Sequence, residues 1–514
     1  MASSMRENPS ASLPTSTHAF NFPAHLPAFG ALSNTNWVTT TVVLVGTLLV
    51  LEQIRYRYKK RHLPGPAFTI PIIGKFVNSL YPSIENYCKQ WSTGDLSALS
   101  VFHIFIVMAS TNKLSLKILN SPSYAEPCLV HSARKVLKPN NWVFLVGKPH
   151  LDYRKGLNGL FARKAIGNYI SIQDQCNRKH FNRWIEEYTK DPSARPIMFP
   201  TRHLNMDTSL RVFCGPHIPE YAAQEISDKY WAITRALELV NFPIALPGTK
   251  VYRAVQARKV AMRWLELAAG HSKAAMDRGD QPECLLDEWV MQLRAPDYKG
   301  RTDFSNDEMA MVVFSFLFAS QDAMSSGLVY GFQHLADHPE VLAKVREEQE
   351  RVRCGDYEKP ITLEMLDEMK YLQAVVKESL RAKPPVTMVP YKTTKAFPIS
   401  EDYTVPAGAM LIPSLYTSLQ DPDVFPEPDK FKPERWINPT NQAEMNKHYM
   451  VWGSGVHRCI GTEYASMNIA LGLSTGVSMM NMEHVVTPES NEIEIIATMF
   501  PKDGLHMKIT PRLH

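Results

Sequence analysis

The hydrophobic pattern contains two long apolar runs that differ in how polar residues interrupt them. The first extends from Leu26 to Leu51 without a charged residue, and Trp37–Leu51 (WVTTTVVLVGTLLVL) is its most apolar part. A dense basic cluster follows: Arg55, Arg57, Lys59, Lys60 and Arg61. Fifteen residues at about 1.5 Å rise cover roughly 22 Å, and neutral neighbours extend this toward the ~30 Å hydrocarbon core. A cleaved signal peptide carries its basic residues before the apolar run. Here they come after it, which predicts an uncleaved anchor with the basic cluster and all later residues on the cytosolic side. A buried core helix is the alternative. Leu63-Pro64-Gly65-Pro66 cannot continue a helix and reads as a stiff joint. The expected organisation is a disordered tail over 1–36, a membrane anchor over 37–54, a basic and Pro/Gly hinge over 55–67, and a body over 68–514.

The second run predicts a long central helix. Ser305-x-x-Glu308 is a capping box, and Asp307 also favours the first turn. Apolar residues continue through Met311, Val312, Phe314, Phe316, Leu317 and Phe318 to Leu335, and His338-Pro339 ends the run. About thirty residues span roughly 45 Å, enough to cross a globular body. The first half is apolar almost all round, so the helix should be buried. Gln321 and Asp322 interrupt it. A carboxylate there is costly unless paired or useful, and both a structural and a functional acid stay open.

The rest of the body is helix-rich with short strand-like runs such as Val101–Ala109 (VFHIFIVMA). The fold class is therefore mainly α with small β-sheets (α+β). A second helix carries Glu378 and Arg381 three residues apart on one face. Pro384-Pro385 terminates it, a strand-like region spans Tyr403–Leu411, and a proline-dense segment covers Phe425–Trp436. That segment cannot be regular structure, and its Arg435 is placed to share Glu378 with Arg381.

Composition narrows the function classes. The 514 residues are 45% hydrophobic and 21% charged, which excludes a disordered chain, a collagen and a polytopic membrane protein. Lys and Arg total 56 against 51 Asp and Glu, for a net charge of +5. No long basic run tracks a phosphate backbone, so nucleic acid is not an expected partner. Seven cysteines are scattered without a Cys-x-x-Cys pair. This argues against a disulfide framework or a structural zinc site and fits a reducing compartment.

One cysteine stands in a distinctive setting. Trp452-Gly453-Ser454-Gly455-Val456-His457-Arg458-Cys459-Ile460-Gly461 is a glycine-bearing loop ahead of a helical stretch, Thr462–Leu473. Backbone N–H groups at a helix start favour a thiolate, and glycines let a flat group approach closely. A lone thiolate cannot build a tetrahedral zinc site, but it can be the axial ligand of a haem iron. His457 and Arg458 suit an acidic cofactor edge. The alternative is a buried, unreactive cysteine in a glycine-rich turn.

From Pro64 onward the sequence resembles the cytochrome P-450 haem-thiolate oxygenases. The resemblance rests on five features in order: the proline-rich hinge, Ala319-Ser320-Gln321-Asp322-Ala323, Glu378-x-x-Arg381, Pro433-Glu434-Arg435-Trp436 and the Cys459 loop. Within the family it resembles the fungal sterol C-22 desaturase branch. That likeness is carried by Asn141–Leu145, Tyr153–Phe161, Phe316–Ala323, Pro390-Tyr391, Lys395–Pro398 and 497–503. Several positions depart from the family pattern: Trp452 replaces the usual Phe, His457 the usual Arg, and His150 a common Trp. Ala323 replaces the usual threonine beside Asp322, and Met324 follows it.

The resemblance implies a haem-thiolate oxygenase domain over 68–514, with Cys459 as the metal ligand. It places His150, Arg154 and His457 at the haem propionates and makes Asp322 and Gln321 the catalytic proton relay. It further implies O2, a sterol-like substrate, membrane lipid and NADPH-derived electrons from a separate NADPH–cytochrome P-450 reductase. No GxGxxG fingerprint for binding the nucleotide directly occurs here. Expected localisation is the endoplasmic reticulum membrane, with one anchor and a cytosolic catalytic domain. The loop Asn241–Pro247 is expected at the bilayer surface or as a buried connector. The activity expected is C22=C23 desaturation in ergosterol biosynthesis. The alternatives are a paralogue oxidising another steroid or triterpenoid and a non-catalytic haem or sterol carrier.

Overall fold

The computed structural model describes residues 37–70, 83–101, 104–129, 131–237, 244–496 and 498–513. The tail expected over 1–36 lies outside them. The chain divides into two compact units, one ending at Glu52 and the other beginning at Gln53.

The first apolar run forms helix α1 (Trp37–Lys60), 24 residues with mean hydropathy 1.6 over its most apolar stretch. Its apolar side chains up to Leu51 are exposed except the half-buried Leu49, with Trp37, Val42, Val43, Leu44 and Leu48 among the exposed. An exposed apolar helix of this length is a candidate membrane anchor. The helix runs beyond residue 54 and takes in most of the basic cluster. The segment expected to be a joint is instead packed within the second unit. Leu63 is buried, the Tyr56 hydroxyl donates to the Pro66 carbonyl at 3.1 Å, and the Ala98 amide donates to the Pro64 carbonyl at 2.8 Å.

The helices that build the site are α2 (Gly147–Leu157), α3 (Arg163–Lys190), α4 (Met198–Cys214), α5 (Glu220–Arg235), α6 (Lys250–Arg278), α7 (Leu285–Arg294), α8 (Asn306–Asp337), α9 (Lys370–Ala382) and α10 (Thr462–Met479). The second apolar run is α8, 32 residues long, or about 48 Å. Both halves of its capping box are made: the Glu308 amide donates to Ser305 Oγ at 3.1 Å, and the Ser305 amide to Glu308 Oε2 at 2.9 Å. Although α8 is apolar enough to cross a membrane, it is the core helix of the second unit, with α4, α6, α9 and α10 packed around it.

α8 and α10 approach each other through small residues facing large ones. A Cβ on Gly327 of α8 would lie 2.7 Å from Ile469 Cδ1, and one on Gly476 of α10 would lie 2.7 Å from the Phe332 ring. Both neighbours are buried and have little room to yield. The glycines thus set the spacing between the central helix and the helix that follows the Cys459 loop.

The largest sheet has strands β1 (Leu96–Val101), β2 (Ile104–Ala109), β3 (Ala125–Pro127), β4 (Tyr391–Thr393) and β5 (Met410–Pro413), in spatial order β1-β2-β5-β4-β3. The run Val101–Ala109 is not one strand. Val101 and Ile104 face each other across an antiparallel pair, so β1 and β2 run in opposite directions. β2 and β5 pair in parallel, Ile106 with Met410 and Val107 with Leu411. Residues from segments some 300 positions apart thus join one sheet, with a separate core that includes Tyr56, Leu63, Phe105 and Leu411.

Candidate functional site

The Cys459 loop owes its shape to short-range bonds and two left-handed glycines. Gly453 (φ 66°) follows one 3-10 turn, and Gly455 (φ 71°) begins the next. A Cβ on Gly455 would lie 2.3 Å from the Leu119 carbonyl oxygen, so only glycine fits there. The Cys459 amide donates to the Trp452 carbonyl at 2.9 Å, closing the loop. Gly461 is the N-cap of α10, and a Cβ there or on Gly453 would meet no atom within 4 Å. Cys459 is exposed at its surface. Crowding by protein on its other sides pushes its thiol above the ordinary pKa, while the Gly461 amide, Arg154, Thr462 and Arg458 pull the other way. A coordinating metal would deprotonate such a thiol.

The structure brings His150, Arg154, His457 and Cys459 together. The His150 and His457 rings lie 4.1 Å apart, centroid to centroid, and His150 stacks on Trp142 at 6.2 Å and 10°. Arg154, one turn beyond His150 on α2, acts electrostatically on Cys459, Arg458 and both histidines. Burial, then the charges of His150 and Arg154, hold His457 down at about 4, and burial, then Arg154, lowers His150. Among the described residues, no carboxylate forms an ion pair with Arg154, Arg458, His150 or His457. A cationic cluster without its own anions, beside an accessible thiol and open glycine faces, fits a flat metal-bearing group with carboxylate arms.

Asp322 and Gln321 lie in a different network. Asp322 is 5% exposed and ion-paired with Arg202 of α4, which is 4% exposed. The Thr234 hydroxyl donates to Asp322 Oδ2 at 2.8 Å and accepts from Arg202 at 3.1 Å. Gln321 Nε2 donates to the Arg202 carbonyl at 2.7 Å. Asp322 is therefore not the isolated acid that an apolar helix pattern leaves open: a buried cation neutralises it. The sequence reading missed Arg202. The segment Met198–Cys214 carries two arginines, Arg202 and Arg211, and no local pattern singled out the one that is buried. Arg202 also stacks over Trp231, 4.5 Å from its ring centre. Near Asp322, Phe318, Ala319, Ser320 and Ala323 are accessible in a helix otherwise buried through its middle.

Glu378, Arg381 and Arg435 converge. Arg381 grips both Glu378 oxygens at 2.9 Å, and Arg435 Nε donates to Glu378 Oε1 at 2.9 Å. Trp436 Nε1 adds a 2.9 Å bond to Glu378, and its ring meets Tyr449 edge-on at 5.1 Å, immediately before the Cys459 loop. The buried ion cluster thus buttresses the base of that loop.

Comparison with known proteins decides the family. The profile of the Cytochrome P450 family matches residues 64–508. This chain is a cytochrome P450. It is 42% identical over 474 residues to the C-22 sterol desaturase erg5 of Aspergillus fumigatus, covering 88% of this chain and 91% of that one. It is likewise 42% identical to the C-22 sterol desaturase ERG5 of Saccharomyces cerevisiae, covering 94% and 91%. The P450 monooxygenase oblE of Emericella variicolor is 39% identical, covering 91% and 92%. The solved cyanobacterial CYP120A1 with bound retinoic acid superposes with a TM-score of 0.75 at 23% identity, covering 88% of this chain and 99% of that chain. As a P450, the protein uses a haem iron held by a cysteine thiolate, and the Cys459 neighbourhood fits that group.

In this P450 Ile244, Leu246 and Pro247 of the proline-rich loop are exposed; residues 241–243 lie outside the described segments. A groove of about 860 Å3 between α5 and α6, lined by Trp231, Arg235 and Arg253, includes neither Cys459 nor Asp322.

Proposed function

We propose that this P450 desaturates a sterol side chain at C22–C23 in ergosterol biosynthesis, using O2 and NADPH-derived electrons from a separate P450 reductase. The observation that carries this reading is identity near 40% to several fungal C-22 sterol desaturases over about nine-tenths of the chain. In this reading, Cys459 would hold the haem iron, and Arg154, His150 and His457 would bind the propionates, with Arg458 beside them. When bound, the haem supplies reductive oxygen activation, which thiolate donation favours. The chain's own residues then orient the sterol, limit water and move protons.

Asp322 and Gln321 supply the polar step on α8. Asp322, paired with Arg202 and bonded by the Thr234 hydroxyl, is the group on this helix that would pass protons toward the site. Loss of one hydrogen from each of two adjacent side-chain carbons gives the alkene. The two hydrogens leave in water as O2 is reduced to two waters with the electrons from NADPH. The side-chain pose over the site selects this over hydroxylation. α1 anchors the enzyme to the endoplasmic reticulum membrane. The body from residue 68 onward is the oxygenase domain in the cytosol, where lipid-dissolved sterol and the reductase both reach it.

Ala323, Met324 and Trp452, which depart from the family pattern, favour a second reading: oxidation of another steroid or triterpenoid. Product analysis with reductase, NADPH and a sterol lacking the side-chain double bond separates the two. A new C22–C23 alkene supports desaturation. Ring hydroxylation, or no turnover of that sterol, refutes it.

A further inference from the structure

Far from the Cys459 loop in sequence, two segments repeat one spacing. Cys214-Gly215-Pro216-His217 and Cys284-Leu285-Leu286-Asp287 each place two metal-ligand residue types three positions apart. Cys214 closes α4 and Cys284 is the N-cap of α7. Gly215 (φ 54°) lets the two segments meet, since a Cβ there would lie 2.8 Å from Cys284 Cβ and 3.4 Å from its sulfur.

The side chains converge. His217 Nε2 lies 2.7 Å from Asp287 Oδ1, and the ligand atoms of His217, Cys284 and Asp287 all fall within 4.8 Å of one another. Cys214, Cys284 and Asp287 are at most 1% exposed. Ser272 of α6 donates to Asp287 Oδ1, and the Glu283 amide donates to Oδ2 at 3.1 Å. Burial works to raise the Asp287 pKa, but its bonds from His217, Ser272 and the Glu283 amide outweigh that and keep it ionised. Burial and the Asp287 charge push the Cys284 thiol well up. The corner therefore gathers one N, one O and one S donor in a protein-lined site. Borderline-soft divalent ions bind such mixed sets. The absence of Cys-x-x-Cys argued against a zinc site, but that test misses segments that each contribute a single sulfur.

We propose that His217 Nε2, Cys284 Sγ and one Asp287 oxygen bind a single Zn2+-class cation that ties α4, α6 and α7 together. On binding, three metal–ligand bonds form, the Cys284 thiol proton passes to solvent, and the His217–Asp287 hydrogen bond is given up. The imidazole proton then resides on Nδ1. Water completes the tetrahedron.

The test uses the full-length haem-loaded enzyme, purified without metal-affinity resin, equilibrated with zinc sulfate and desalted. Elemental analysis should find about one zinc per haem iron. X-ray absorption at the zinc edge should find one sulfur at ~2.3 Å with nitrogen or oxygen at ~2.0–2.1 Å. Cys284→Ser and His217→Gln should each lower zinc retention at least about tenfold at unchanged iron content. If either variant fails to fold, the sulfur shell in the wild-type spectrum decides alone. Zinc that does not stay with the wild type, a shell without sulfur, or equal retention by folded Cys284→Ser overturns the proposal.

Discussion

Replacing Glu378 with alanine should leave little haem-loaded enzyme. Glu378 and Arg381 are both fully buried, at 0% side-chain exposure. The two Glu378 oxygens accept from Arg381 Nε and Nη2, Arg435 Nε, Trp436 Nε1 and the Lys432 amide, all at 2.9–3.0 Å. After Glu378→Ala, Arg381 keeps carbonyl partners at Leu419 and Pro428 but has no anion. Leaving one member of a buried pair uncompensated costs about 3–5 kcal/mol. The orphaned indole and amide add on the order of 1 kcal/mol, because they lie nearer solvent. The total of about 4–6 kcal/mol matches the lower end of the ~5–15 kcal/mol that holds a folded protein together.

The assay is haem per chain by pyridine haemochromogen, with the urea midpoint of whatever folds. Glu378→Gln, which keeps shape and one acceptor, should fall between alanine and wild type. Glu378→Leu with Arg381→Met removes both central charges and should recover part of the loss, since Arg435 keeps bonds to the Pro426 and Glu427 carbonyls. Wild-type haem content and midpoint in Glu378→Ala would refute the reasoning.

Cys459→Ser should abolish the thiolate-type absorption of the reduced carbon monoxide complex, and survival of that band removes Cys459 as ligand. Asp322→Asn should lower product per NADPH and raise peroxide release, with a rate loss on the order of 10²-fold. Because Arg202 loses its counter-ion, it should also cost about 3 kcal/mol in urea unfolding; unchanged coupling would leave Asp322 only its structural pair with Arg202. Burial holds His334 down at about 3, with its ring stacked on Phe431 at 4.3 Å. An unfolded histidine takes its proton near the ordinary 6.5, so below that pH the unfolded state binds more protons and stability falls toward pH 3. His334→Phe keeps the stack and removes the proton. Its urea midpoint should fall less steeply than the wild type's between pH 6.5 and about 5, and parallel slopes would refute this.

The features legible in sequence were those whose causes are local. The start of α8 follows from Ser305 and Glu308 because a capping box closes within one turn. The Glu378–Arg381 grip is set by a three-residue helical spacing, and the Cys459 loop by glycines and a helix start a few residues away. Length and charge order likewise made Trp37–Leu51 a candidate anchor. The structure alone settled what depends on surfaces meeting across the chain. Arg202 neutralises Asp322 from 120 positions away. Trp142 stacks on His150, which lies against His457 about 300 residues later. β2 pairs with β5 from about 300 positions later, and His217 meets Asp287 because α4 and α7 pack against each other. Local propensity and hydrogen-bond spacing act over a few residues and can be read along the chain. Pairing of buried charges and donors depends on which helices pack together, and no short-range pattern specifies that.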